Sequence, residues 1–116
     1  MNQTFRLQSK RSTLLSLGLY FALVGAAATA ENASLRHGET LVTRNCSRCH
    51  AIGRVDASTH PEAPPFRTLS KRYPIESLEE ALGEGIISGH PDMPEFRFDG
   101  DDVGAIVAYL KSVQDP

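Results

Sequence analysis

The strongest periodic signal lies at residues 100–113. Val103, Ile106, Val107 and Leu110 follow i, i+3, i+4, i+7, with Tyr109 and Val113 beside them, which predicts an amphipathic helix. Asp99 is a candidate N-cap, and Asp101 and Asp102 would lie in the first turn near the positive end of the helix dipole. A second helix is expected over 74–88, where Ile75, Leu78, Ala81, Leu82 and Ile86 keep helical spacing behind Pro74. Gly83 and Gly85 leave its end open. A third is expected over 34–46, with Ser34 as cap and Leu35, Leu41, Val42 and Cys46 roughly along one side. Gly38 inside it costs about 1 kcal/mol against Ala, which suggests close approach of another helix. Residues 51–73 and 89–98 are proline-bearing and read as loops. No stretch alternates apolar and polar residues long enough for a sheet, so the class is all-α.

The first thirty residues follow a different pattern. Arg6, Lys10 and Arg11 precede an apolar run at 14–28, and Ala28-Thr29-Ala30 follows as a small-residue cut site. This is the layout of a secretory signal peptide. The run of about fifteen residues falls short of the roughly 20 that span a bilayer. The expected division is therefore residues 1–30 as signal and 31–116 as the mature domain, with an uncleaved anchor as the alternative.

Removing the signal changes the charge. The chain of 116 residues has 12 basic and 14 acidic side chains, and three of the basic ones lie in residues 1–30. The mature domain would carry −5 with His neutral, a balance that repels phosphate and argues against a nucleic-acid partner. A domain this short buries only a modest core, so a large apolar cofactor would contribute much to it.

Cys46-Ser47-Arg48-Cys49-His50 is a C-x-x-C-H motif, the pattern of c-type haem attachment. On a helical turn, two thiols three residues apart lie on one side and can each add to a haem vinyl group. The adjacent imidazole can then reach the iron. A zinc site would need two more ligands, and although His60 and His90 could be proposed there is no second C-x-x-C. A thioredoxin-like dithiol needs a βαβ context that is absent here. A disulfide at this spacing would be strained and would leave His50 without a role.

A six-coordinate iron needs a second ligand. Met93 is the one methionine outside the signal, in a loop stiffened by Pro91 and Pro94. A thioether in such polar surroundings suits soft iron coordination; the alternative role is packing in a core. His90 is the rival ligand, and His37 and His60 read as surface residues. Pairing of His50 with Met93 would raise the reduction potential and leave no open position on iron, as electron relay requires.

With these residues in view, the sequence resembles the small class I c-type cytochromes of bacteria over nearly all of 34–113. Gly38 stands eight residues before Cys46, as does that family's helix-crossing glycine, and Ile106-Val107-Ala108-Tyr109-Leu110-Lys111 is similar to its C-terminal helix signature. The resemblance implies that Tyr109 packs at Gly38. It also implies three main helices and loops wrapped around one covalently attached haem. Ala63-Pro64-Pro65-Phe66 resembles the segment whose proline carbonyl accepts a hydrogen bond from the haem histidine, a role that falls to Pro64. The cofactor-binding residues so implied are Cys46, Cys49, His50, Met93 and Pro64, with His50 and Met93 on the metal.

Departures are visible. Val42 stands where the family often has an aromatic, and no Trp is present to bond a propionate. Arg67, Arg72 and Tyr73 read first as solvated surface residues, with a substitute role at the propionates as the alternative. Lys71 and Lys111 are too few for a lysine ring, while Arg44, Arg48, Arg54 and Arg97 could form a weaker basic rim.

The function implied is a periplasmic monohaem cytochrome that passes single electrons between redox proteins, with no substrate bond made or broken. Its partners would be transient and the protein a monomer, without stable membrane insertion once the signal is cleaved. The alternatives are a haem subunit of a dehydrogenase or oxidase complex, and a gas-binding sensor or peroxidase with a labile distal Met93.

Overall fold

The computed structural model describes residues 9–87 and 91–116. The chain divides into two compact units, 1–32 and 33–116. Among the described residues there are three α-helices, two short 3-10 turns and no strand: α1 (Ser9–Asn45), α2 (Leu78–Glu84) and α3 (Gly100–Ser112), with 3-10 turns at Phe66–Lys71 and Ile75–Ser77.

Helix α3 follows its periodicity. Val103, Ala105, Ile106, Val107, Tyr109 and Leu110 are buried on one side. Asp99 occupies the N-cap position, but only its carbonyl takes part, accepting from Val103 N–H at 2.9 Å; its side chain makes no capping bond.

Helix α1 differs from expectation at its start. It begins at Ser9 rather than near residue 34, so Ser34 is interior and caps nothing. The stretch Ala27–Ala33 contains no proline or glycine, and alanine is the best helix former, so nothing in it halts a helix already running. Among the described residues no helix is long and apolar enough to cross a membrane.

The helix expected at 74–88 is shorter, and its last residue lies outside the described residues. A 3-10 turn at Ile75–Ser77 leads into α2, which stops at Gly85. Gly85 has φ of +119°, a conformation that side chains rarely adopt, and a Cβ there would lie 2.5 Å from Glu95 Oε1. The chain then turns, and Ile86 makes a single antiparallel bridge with Phe96.

The segment 51–73 is not all loop. After Pro64-Pro65, Phe66–Lys71 forms a 3-10 turn with Phe66 and Leu69 buried, the i, i+3 spacing of that helix type. The C-terminal segment holds it. Gln114 Nε2 donates to Phe66 O at 2.8 Å, Gln114 Oε1 accepts from Ser70 N–H at 2.9 Å, and Asp115 N–H donates to Arg67 O at 2.8 Å.

One core joins these elements. Val42, fully buried, packs with Phe66, Leu69, Ile75, Leu82 and the buried side of α3. Val42 thus fills an interior position where the resemblance suggested an aromatic. The core closes at Gly38. A Cβ on this residue would fall within the carbonyl of Ala105, 2.6 Å from its carbon and 2.9 Å from Tyr109 Cβ. Glycine is required here because the backbone of α1 lies directly on α3. The expected packing of Tyr109 at Gly38 is present. We expect Gly38→Ala to destabilise the haem-loaded protein by about 3 kcal/mol, the upper range for overpacking a tight contact. Denaturant unfolding would measure it, and a loss below about 0.5 kcal/mol, within the scatter of surface substitutions, would show that the crossing can relax.

Candidate functional site

The C-x-x-C-H motif lies on the turn that carries on from α1. Cys46 N–H donates to Val42 O at 2.8 Å, and both Cys49 N–H (3.1 Å) and His50 N–H (2.9 Å) donate to Cys46 O. Cys46 and Cys49 are half-buried free thiols on one turn. Burial pushes the Cys46 thiol up to about 11, which keeps it protonated and uncharged. Cys46 also packs against the apolar core.

A helix end leaves carbonyls without helical partners. Here the following segment supplies donors. Thr59 Oγ1 donates to Arg48 O, His60 N–H to Cys49 O at 3.2 Å, and Phe66 N–H to Ala51 O at 2.9 Å. Asp56 holds the next bend by accepting from Ile52 N–H at 2.8 Å and Gly53 N–H at 2.9 Å. Ser58 Oγ accepts from Ala51 N–H at 3.0 Å.

The orientation of His50 follows from these anchors. Its Nδ1 lies 2.9 Å from Pro64 O. A carbonyl only accepts, so the ring proton is on Nδ1 and Nε2 carries the lone pair. Among the described residues Nε2 has no hydrogen-bond partner. The Phe66 ring sits against the imidazole with centroids 4.7 Å apart and planes inclined by 33°. Tyr109 braces the same region from α3, its hydroxyl donating to Ile52 O at 3.2 Å. Thus Pro64 and His50 meet as the resemblance implied. Phe66 was named only as part of the Pro64 segment, without a role at His50, and Asp56, Ser58 and Thr59 were not singled out from sequence. Only Asp56 leaves a local signal, an acid three and four residues after two backbone donors in a glycine-containing bend.

Met93 is half-buried in the loop after α2. His90, the rival ligand, lies outside the described residues. The loop is closed at its ends: Ile86 N–H donates to Phe96 O at 2.9 Å, Phe98 N–H to Leu82 O at 2.9 Å, and Arg97 Nε–H to Gly83 O at 3.1 Å.

The basic side chains are partly committed elsewhere. Arg67 Nη1 donates to Asp56 O at 2.8 Å, Arg54 to Ser112 O at 2.6 Å and Arg97 to Gly83 O. Arg54 and Arg97 act as tethers between segments, and Arg67 holds the Asp56 bend. Arg72 and Tyr73 are exposed. Of the histidines read as surface residues, His37 meets Asp102 at 2.6 Å and half-buried His60 meets Asp92 at 3.4 Å.

The donor set fits an iron porphyrin attached through sulfur. Two free thiols three residues apart share a turn with an imidazole whose Nδ1 is locked and whose Nε2 is available. No cluster of three or more His, Cys, Asp or Glu suited to a bare metal ion occurs among the described residues.

An all-α domain with this motif defines a small c-type cytochrome, and comparison with known proteins agrees. Residues 33–110 match the family described as cytochrome C oxidase, cbb3-type, subunit III, and the chain belongs to it. It is also 29% identical over 101 residues to cytochrome c-552 of Bradyrhizobium diazoefficiens, a match covering 87% of this chain and 95% of that protein. No solved structure matches. The protein is a monohaem, electron-carrying cytochrome with covalently bound haem c, working with redox partners.

Phe66→Ala should remove both the ring against His50 and part of the core. The expected cost is about 3 to 4 kcal/mol, as for other buried aromatics, read by thermal or denaturant unfolding of the haem-loaded protein. A loss under about 1 kcal/mol would mean that the ring is not part of the packed site.

Proposed function

We propose that this cytochrome is an exported, periplasmic electron carrier rather than an enzyme, and that Cys46 and Cys49 would tether the haem while His50 and Met93 would ligate its iron. The observation that carries this reading is the His50 Nδ1–Pro64 O hydrogen bond, beside two free thiols on the same turn. When bound, haem c supplies a one-electron ferric/ferrous couple. Pro64 O holds the imidazole in one tautomer and raises the basicity of Nε2. Phe66 restricts rotation of the same ring. Met93, carried on a loop pinned at both ends, supplies a thioether that favours the reduced state. With His50 and Met93 both engaged, no position is left for a small-molecule substrate, and no general acid, base or nucleophile is needed.

Residues 1–30 act as the export signal in this proposal. Cleavage after Ala30 leaves an acidic domain of net charge −5, which favours partners other than nucleic acid. Its contacts with redox partners are brief and small, about 1,200 Å² or less, as for transient electron-transfer pairs. The carrier acts as a monomer, without stable membrane insertion after cleavage.

The family description supports a second reading, a haem subunit held within an oxidase complex. Purification separates the two. A carrier leaves the membrane fraction in a salt wash and runs as a monomer, whereas a subunit co-purifies with oxidase.

We expect Met93→Ala to abolish the weak near-red band of thioether-ligated ferric haem, lower the midpoint potential and allow rapid carbon monoxide binding in the reduced state. An unchanged band and potential would remove Met93 from the iron. N-terminal sequencing of the exported protein should begin at Glu31; a chain retaining residues 14–28 would replace cleavage with anchoring.

A further inference from the structure

We infer that His60 is a positioning residue for the distal loop, tying the segment after the C-x-x-C-H turn to Asp92 and so restraining the release of Met93. This inference rests on the assignment of Met93 as the distal ligand.

The bonds at Ile86–Phe96, Leu82–Phe98 and Gly83–Arg97 act at the two ends of the Met93 loop. They join it to α2 and set where it starts and stops. The His60–Asp92 contact is of another kind. It acts one residue from Met93 and comes from the opposite segment, the one that follows His50.

His60 is suited to hold this contact. Its backbone N–H donates to Cys49 O at 3.2 Å, and its carbonyl accepts from Ala63 N–H at 3.1 Å, so the residue is fixed to the cysteine-bearing turn. Glu62 N–H donates to His60 Nδ1 at 3.3 Å. That bond requires a lone pair on Nδ1, which places the ring proton on Nε2. Nε2 then donates to Asp92 Oδ2 at 3.4 Å. Pro91 and Pro94 bracket Asp92-Met93 and limit the backbone freedom between them. Holding residue 92 therefore restrains residue 93.

The consequence is kinetic. A carrier needs its thioether in place in both oxidation states, and each transient release of Met93 opens a position for an outside ligand. The contact is long and Asp92 is 69% exposed, so its effect is modest. An exposed pair of this kind shifts an opening equilibrium about two- to five-fold.

The test uses the full-length, haem-loaded protein and imidazole as external ligand, with the rate of complex formation by the ferric form followed by stopped-flow absorbance. His60→Ala should raise the rate about two- to five-fold. Asp92→Ala should do the same, and the double variant should be no faster than the faster single one, since both remove one contact. His60→Gln, whose amide can donate to Asp92, should restore most of the parent rate. Haem content and the reduced spectrum should stay unchanged throughout. A parent-like rate for His60→Ala, or a double variant whose acceleration is the product of the two singles, would overturn the inference. Met93→Ala serves as the control. If it loses the near-red band while His60→Ala changes nothing, only the role of His60 falls. If Met93→Ala keeps both band and rate, the ligand assignment falls and takes this inference with it.

Discussion

The contact between the backbones of α1 and α3 at Gly38 governs the arrangement of everything around the motif. Because no side chain intervenes, Ala105 and Tyr109 lie directly against α1. Val42, one helical turn further on, is then driven into the core, and Cys46 follows one turn after that. On the other helix, Tyr109 is placed so that its hydroxyl reaches Ile52, just past His50. The tyrosine therefore connects the helix crossing to the motif through one side chain. Its phenol is held above its ordinary range, by burial first and then by the nearby carboxylates of Glu39 and Asp56, so it remains a donor at neutral pH.

The motif itself depends on loop chemistry more than on helix chemistry. Once α1 ends, the carbonyls of Cys46, Arg48, Cys49 and Ala51 take donors from the turn itself and from Thr59, His60 and Phe66. The same strands of chain bring Pro64 to His50 and the Phe66 ring against the imidazole. Satisfying the backbone and orienting the imidazole are thus one arrangement. This is economical for a domain with a small apolar core, since bonds that close the loop also set the tautomer of His50.

The segment after α2 shows a division of labour. Gly85 turns the chain, the Ile86–Phe96 bridge and the Arg97 side chain close the base, and Asp92 meets His60 near Met93. Arginines that might have ringed the cofactor edge are instead used as ties between segments, Arg54 to the end of α3 and Arg97 to the end of α2.

Several features were legible in the residues alone, for a local reason. The C-x-x-C-H spacing, the periodicity of 103–110 and the glycine eight residues before Cys46 are short-range patterns, and each specifies chemistry or geometry within a few turns. Other features needed the folded chain. The start of α1 was misplaced because a capping residue was inferred where the preceding alanine-rich stretch keeps the helix going. The 3-10 turn at Phe66–Lys71 escaped because a bridge from Gln114, more than forty residues away, holds it. His60 read as a surface residue because its partner, Asp92, is 32 positions distant. What the sequence by itself determined was the cofactor chemistry and the helices that bear it, since these depend on neighbours along the chain. What only the tertiary structure decided was which distant carbonyl and ring meet His50 and that Asp92 meets His60, because such pairings arise when loops close against the core.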